Sequence, residues 1–204
     1  MSTELSKRLL LISKPLLLLL LAWLFTACAL TSDNKSVFLA DELSFLLTAP
    51  PTNKIATVES HLVVITSKDQ THQFIAQVEY RRDEIAMAAI SPQGLPLFDF
   101  IWFSDKASEV NQYVPLPSVD IAFIIADMQL CNWPLEAVKS ALIGTNVDVN
   151  QSSALPEKNI IWQRSVTQNN KVIIKIEKRD DGYELENLIR GYRIRLTNLE
   201  RENS

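Results

Sequence analysis

Between Gln73 and Tyr80 apolar and polar side chains alternate: Phe74, Ala76, Val78 and Tyr80 fall on one side and Gln73, Gln77 and Glu79 on the other, with Ile75 out of step. A period of two marks a strand with one buried face. Val58 to Thr66 and Ile85 to Ile90 carry a similar pattern, and Arg81-Arg82-Asp83-Glu84 reads as a polar turn, so the region predicts an antiparallel meander. Leu97 to Phe103 is different. Phe98, Phe100 and Trp102 alternate against Leu97, Ile101 and Phe103, which makes both faces apolar and leaves both in need of cover. One of the two sets is expected to face an interior shared with Met128 and Trp133. Val110 to Val114 predicts a further strand, ended by Pro115 and Pro117.

Three stretches predict helices. Val37 to Leu47 spaces Val37, Phe38, Leu43, Phe45, Leu46 and Leu47 around Asp41 and Glu42 and stops at Pro50-Pro51, an N-terminal helix. Ser118 to Leu130 holds Ile121, Phe123, Ile124, Ile125, Met128 and Leu130, with Ser118 as N-cap. After Pro134, Leu135 to Ile143 repeats helical spacing and ends at Gly144, a C-cap residue type. Asp148 to Asn159 reads as a polar loop. Strands resume at Ile160 to Val166, Val172 to Lys178, Tyr183 to Leu188 and Tyr192 to Leu199, with Asn169-Asn170 and Asp181-Gly182 as hairpin signals. In the last strand Tyr192, Ile194 and Leu196 alternate with Arg193, Arg195 and Thr197 and define a core face. The fold class is α+β, mainly β: one curved antiparallel sheet wrapped around inserted helices that cover its apolar concave face.

The N-terminus bears on where this domain works. Lys7, Arg8 and Lys14 precede the run Leu16 to Leu21, and Thr26-Ala27 precedes Cys28, which together read as a bacterial lipoprotein signal over residues 1–27. Cleavage before Cys28 leaves a cysteine that is expected to carry diacylglycerol and an N-acyl chain. An uncleaved anchor or ordinary secretion is the alternative. Ala29, not Asp, follows Cys28, a pattern that resembles outer-membrane sorting and places the protein on the periplasmic face. Residues 28–36 form a lipidated tether and 37–204 a single domain.

Removal of Lys7, Arg8, Lys14 and Glu4 with the leader leaves 17 Lys+Arg against 23 Asp+Glu, a net charge of −6. That balance disfavours nucleic acid and electrostatic attachment to anionic lipid, so the anchor is what holds the chain to the membrane. With Cys28 acylated, Cys131 has no disulfide partner; Met128, Leu130 and Trp133 around it suggest a buried thiol. His61 and His72 stand apart from any metal-ligand set, and no metal is expected. With four glycines, no Gly-x-Ser-x-Gly and no phosphate-cradling loop, the sequence is not expected to be an enzyme. Arg190, Arg193 and Arg195 either grip an anionic head group or form a solvated face paired with Glu184 and Glu186.

Ser91-Pro92-Gln93-Gly94 before Leu97-Phe98, Leu116-Pro117, Asp127-Met128-Gln129-Leu130 with Trp133-Pro134, and Tyr183 to Leu188 with Gly191-Tyr192-Arg193 resemble a small family of outer-membrane lipoproteins of unknown function. Members are often associated with aryl polyene biosynthesis clusters. The family is similar in fold to the LolA/LolB lipoprotein-carrier superfamily. The resemblance implies a LolB-like incomplete antiparallel barrel with helices as a lid and an apolar cavity that takes acyl chains. Phe98, Phe100, Trp102, Met128 and Trp133 are the cavity candidates.

In the LolB family a Pro-Leu-Gly turn presents an exposed Leu that helps deliver acyl groups into the bilayer. Here the matching position is Gln93, and Gln93 and Leu95 are the turn candidates for membrane contact: Leu95, just after Gly94, either substitutes for the family's Leu or packs against its own domain, and the second is expected, so binding without delivery is expected. The function these features imply is binding of an acyl chain or other amphiphile, with the membrane and other envelope transport proteins as partners. An anchored adaptor in an envelope assembly, with no ligand, is the other reading.

Overall fold

The computed structural model describes residues 35–68, 70–115, 120–155 and 159–199. Residues 34–204 cluster as one compact unit. Every strand pairing and buried core residue among the described residues falls within it, so the unit has a sheet and a hydrophobic core of its own and can fold as a domain.

The main sheet has ten strands. A first meander consists of β3 (Thr57–Ser67), β4 (Gln70–Tyr80), β5 (Glu84–Ile90), β6 (Pro96–Phe103) and β7 (Glu109–Gln112). A second consists of β9 (Val147–Leu155), β10 (Ile160–Gln168), β11 (Lys171–Arg179), β12 (Gly182–Asn187) and β13 (Tyr192–Asn198). Antiparallel pairing of β13 with β3, from Tyr192 opposite Ser67 to Asn198 opposite His61, joins them in the order β7-β6-β5-β4-β3-β13-β12-β11-β10-β9. β7 and β9 are the edges, and the sheet does not close. The Asn169-Asn170 hairpin turn has φ of 50° and 62°, the left-handed pair that a type I′ turn requires.

Two helices, α1 (Ile121–Asn132) and α2 (Leu135–Ala141), lie between the meanders in sequence. From β6 to β10 is seven strand steps, about 33 Å on a flat sheet, whereas a 12-residue helix is about 18 Å long. The α1 segment nonetheless packs against β6 and takes hydrogen bonds from Arg164 of β10, because the sheet curls around it. Pro134 sits between the helices as expected.

Three expectations are corrected. Residues Val37 to Leu47 are not a helix but a hairpin of β1 (Ser36–Ala40) and β2 (Leu43–Leu46), with Glu42 at φ 58° in its turn. Val37, Leu39, Leu43, Phe45 and Leu47 are buried at a spacing of two, while exposed Phe38 and Leu46 supply the apolar residues that mimic helical spacing. Second, Gly144 does not cap α2: it ends β8 (Leu142–Gly144), which pairs with β2 in a separate three-stranded sheet. A Cβ there would stand 2.6 Å from the Glu42 carbonyl oxygen, so glycine answers to close backbone approach. Third, Asp148 to Asn159 is largely strand. As the edge strand β9, it turns Val149 inward and leaves Asp148, Asn150 and Ser152 in solvent, which gives it the composition of a loop. Ser118 lies outside the described residues; the N-cap of α1 is Asp120, whose Oδ1 accepts from the Ala122 N–H at 3.0 Å.

Candidate functional site

Between α1 and the concave face lies a cavity of about 70 Å³. Alternation on β3 and β13 turns Val63, Ile65, Ile194 and Leu196 toward it; Ala76 and Val78 come from β4, Met87 from β5, and Ile124 and Met128 from α1. Thioether side chains on two walls make the space deformable, since methionine repacks easily. Of the sequence candidates, Met128 lines the cavity. Phe98, Phe100, Trp102 and Trp133 do not: all four are buried in the surrounding core. Phe98 meets the cavity wall at Phe74, ring centroids 5.9 Å apart, and Trp133 meets it at Tyr80, 5.8 Å apart. The opposite set on β6, Leu97, Ile101 and Phe103, is half-buried on the other face. The cavity lies nearer the seam between the two meanders than the doubly apolar strand suggested.

One carboxyl group faces this apolar space. Asp127 is buried, and the Tyr192 hydroxyl lies 3.0 Å from its Oδ1 and 2.8 Å from its Oδ2. Burial pushes the Asp127 pKa up to about 7, against the opposing pull of the Tyr192 hydrogen bond and the Arg190 charge. Cys131, one turn further along α1, is a buried thiol that burial pushes well above its ordinary range, which leaves it unactivated.

The Asp-x-Gln-Leu-x-x-Trp-Pro element is what fastens α1. The Gln129 amide acts like a short strand partner for Thr48: Oε1 accepts from the Thr48 N–H at 3.0 Å and Nε2 donates to the Thr48 carbonyl at 2.8 Å. The Trp133 indole N–H donates to the Thr48 hydroxyl at 3.0 Å. From β10, Arg164 donates through Nη1 to the Leu130 carbonyl at 2.6 Å and through Nη2 to the Trp133 carbonyl at 3.0 Å, satisfying carbonyls at the helix end. Arg164 was not foreseen as part of this site. Its signal is a charge on the inward parity of a strand, between Ile160 and Val166, where a cation must find buried acceptors.

The arginines near the C-terminus are spoken for. Arg193 pairs with Glu184 and Glu186, Arg195 with Asp181, and Arg190 stacks 3.4 Å over the Phe123 ring. The turn between β5 and β6 is built as the sequence suggests: the Ser91 hydroxyl accepts from the Gln93 and Leu95 N–H groups, and Gly94 takes φ 84°. Gln93 is exposed. Leu95 does not pack at home as expected; it is 63% exposed, because the turn projects it away from the sheet. Cys28 lies outside the described residues.

The sequence signature of DUF3261, proteins of unknown function, matches residues 58–200, more than half of the chain, and the chain belongs to that family. No curated protein matches by sequence. Among solved structures, a domain from Vibrio parahaemolyticus described as an outer membrane lipoprotein-sorting protein is similar with a TM-score of 0.31 and 7% identity. The match spans 70% of this chain and 83% of that one.

Proposed function

We propose that this protein is a non-enzymatic periplasmic lipoprotein, anchored to the outer membrane through lipidated Cys28, that binds an acyl chain or other amphiphile between α1 and the concave sheet. Lipoprotein acyl groups and aryl polyene lipids belong to that ligand class. The observation that carries the reading is the cavity itself, whose walls are mostly apolar side chains, two methionines among them, supplied by six elements. Its 70 Å³ is well below the roughly 300–1,000 Å³ of ligand pockets. Binding therefore requires α1 to move outward, with Met87 and Met128 repacking around the chain. The small volume equally favours the second reading, an anchored adaptor whose helices are ordinary core.

A fluorescent fatty acid titrated into the 34–204 segment separates the two. Saturable binding weakened by Ala76→Leu, which fills the cavity from β4, is expected. Absence of saturable binding favours the adaptor.

A further inference from the structure

A second, polar recess of about 350 Å³ adjoins the apolar cavity, and His61 and Asn132 line both. Its walls include Lys54, Glu59, Lys178 and Tyr183. The two spaces together are amphipathic, apolar under α1 and charged beyond His61.

The charges inside this recess do not balance. Glu59 forms an ion pair with Lys54 and lies 3.4 Å from Nε2 of His61, so its carboxylate is fully engaged. Burial works against that carboxylate, yet the hydrogen bonds from His61 and Lys54 hold it down at about 2. Lys54 also reaches Oδ1 of Asn132 at 3.4 Å. Lys178 makes no ion pair among the described residues and sits 4.0 Å over the Tyr183 ring. Burial, then repulsion from Lys54, lowers its pKa against the attraction of Glu59 and Asp181, neither of which forms an ion pair with it.

The second observation is His61 itself. It is 6% exposed, and with Nε2 at Glu59 its Nδ1 has no hydrogen-bond partner. A buried polar atom left unpaired is costly in a folded protein and calls for an explanation. A ligand oxygen supplies one: Nδ1 accepts from a ligand hydroxyl or, as imidazolium, donates to an anionic oxygen.

We propose that this recess holds the anionic head group, a carboxylate or phosphate monoester, of the amphiphile whose chain enters the apolar cavity. Lys178 supplies a cation outside any ion pair among the described residues, Lys54 a second cation, and His61 the hydrogen bond at the junction. The assignment rests on the amphiphile reading above and narrows it to acids.

Calorimetric titration of the 34–204 segment with laurate, methyl laurate and inorganic phosphate tests it. One charge-assisted hydrogen bond is worth about tenfold or more in affinity, so laurate is expected to bind at least about tenfold more tightly than its ester. Lys178→Gln is expected to weaken laurate binding while leaving the ester's affinity unchanged, which also shows that the variant folds, and His61→Gln is expected to weaken laurate binding more than ester binding. Equal affinity for acid and ester, unmoved by either substitution, overturns the head-group assignment and leaves the chain-binding reading standing. Failure of both acid and ester to bind overturns both. Inorganic phosphate binding as tightly as laurate identifies a free-anion site and overturns the proposal as well.

Discussion

Tyr192 holds Asp127 from across the concave face: its hydroxyl lies 2.8 and 3.0 Å from the two carboxylate oxygens, and so ties β13 to the middle of α1 at the cavity wall. The contact makes the helix position sensitive to protonation. The Asp127 pKa is raised in the folded state from an ordinary 3.8 to about 7, chiefly by burial. Folding therefore favours the protonated acid. Below pH 3.8 the group imposes no penalty; the penalty grows as pH rises toward 7 and is complete above it, reaching about 4 kcal/mol by linkage. Asp127→Asn keeps an acceptor for Tyr192 and removes the charge. Urea unfolding at pH 5 and pH 8 is expected to show the variant gaining stability over wild type at the higher pH and little at the lower.

Arg164 ties the second meander to the end of α1 through two backbone carbonyls. Arg164→Met leaves the Leu130 and Trp133 carbonyls without their buried donor. Unfolding is expected to cost about 2–4 kcal/mol less than in wild type, and Arg164→Lys, which cannot span both carbonyls, should fall between. Denaturant midpoints at constant m-value check this.

Much of the sheet was legible because its strands obey period two with one buried face. β4 and β13 are the clearest, and β13 supplies Ile194 and Leu196 to the cavity. The β1–β2 hairpin was not legible. Phe38 and Leu46 break its alternation from the solvent side, and what orders that hairpin is its pairing with β8, a partner nearly a hundred residues away. β9 was lost for the opposite reason, since an edge strand needs few apolar residues. The doubly apolar β6 drew attention to Phe98, Phe100 and Trp102, yet apolar periodicity cannot tell a packed core from a void. The void's position is set by side-chain sizes, small Ala76 on β4 among them, and by how closely α1 approaches.

The exposed Leu95 gives the β5–β6 turn an apolar tip that Gln93 does not. That reverses the expectation of binding without delivery: in cells depleted of their lipoprotein receptor, the wild type is expected to rescue lipoprotein insertion in part, Leu95→Gln to lose that rescue and Gln93→Leu to strengthen it, with fatty-acid binding unchanged in both. Rescue that survives Leu95→Gln would remove the turn from the account.

Lipidation of Cys28 predicts that Cys28→Ala abolishes incorporation of radiolabelled palmitate and moves the protein from the membrane fraction to the soluble one. Labelling that persists in the variant would contradict the anchor.

Under the proposed function, the space between α1 and the concave sheet opens to take an amphiphile. Native mass spectrometry of the 34–204 segment, produced in the periplasm and analysed without detergent, tests it most directly. The expected spectrum contains a non-covalent adduct with the mass of a lipid, lost on organic extraction and regained when fatty acid is added. A single ligand-free species that takes up no added fatty acid would contradict the claim.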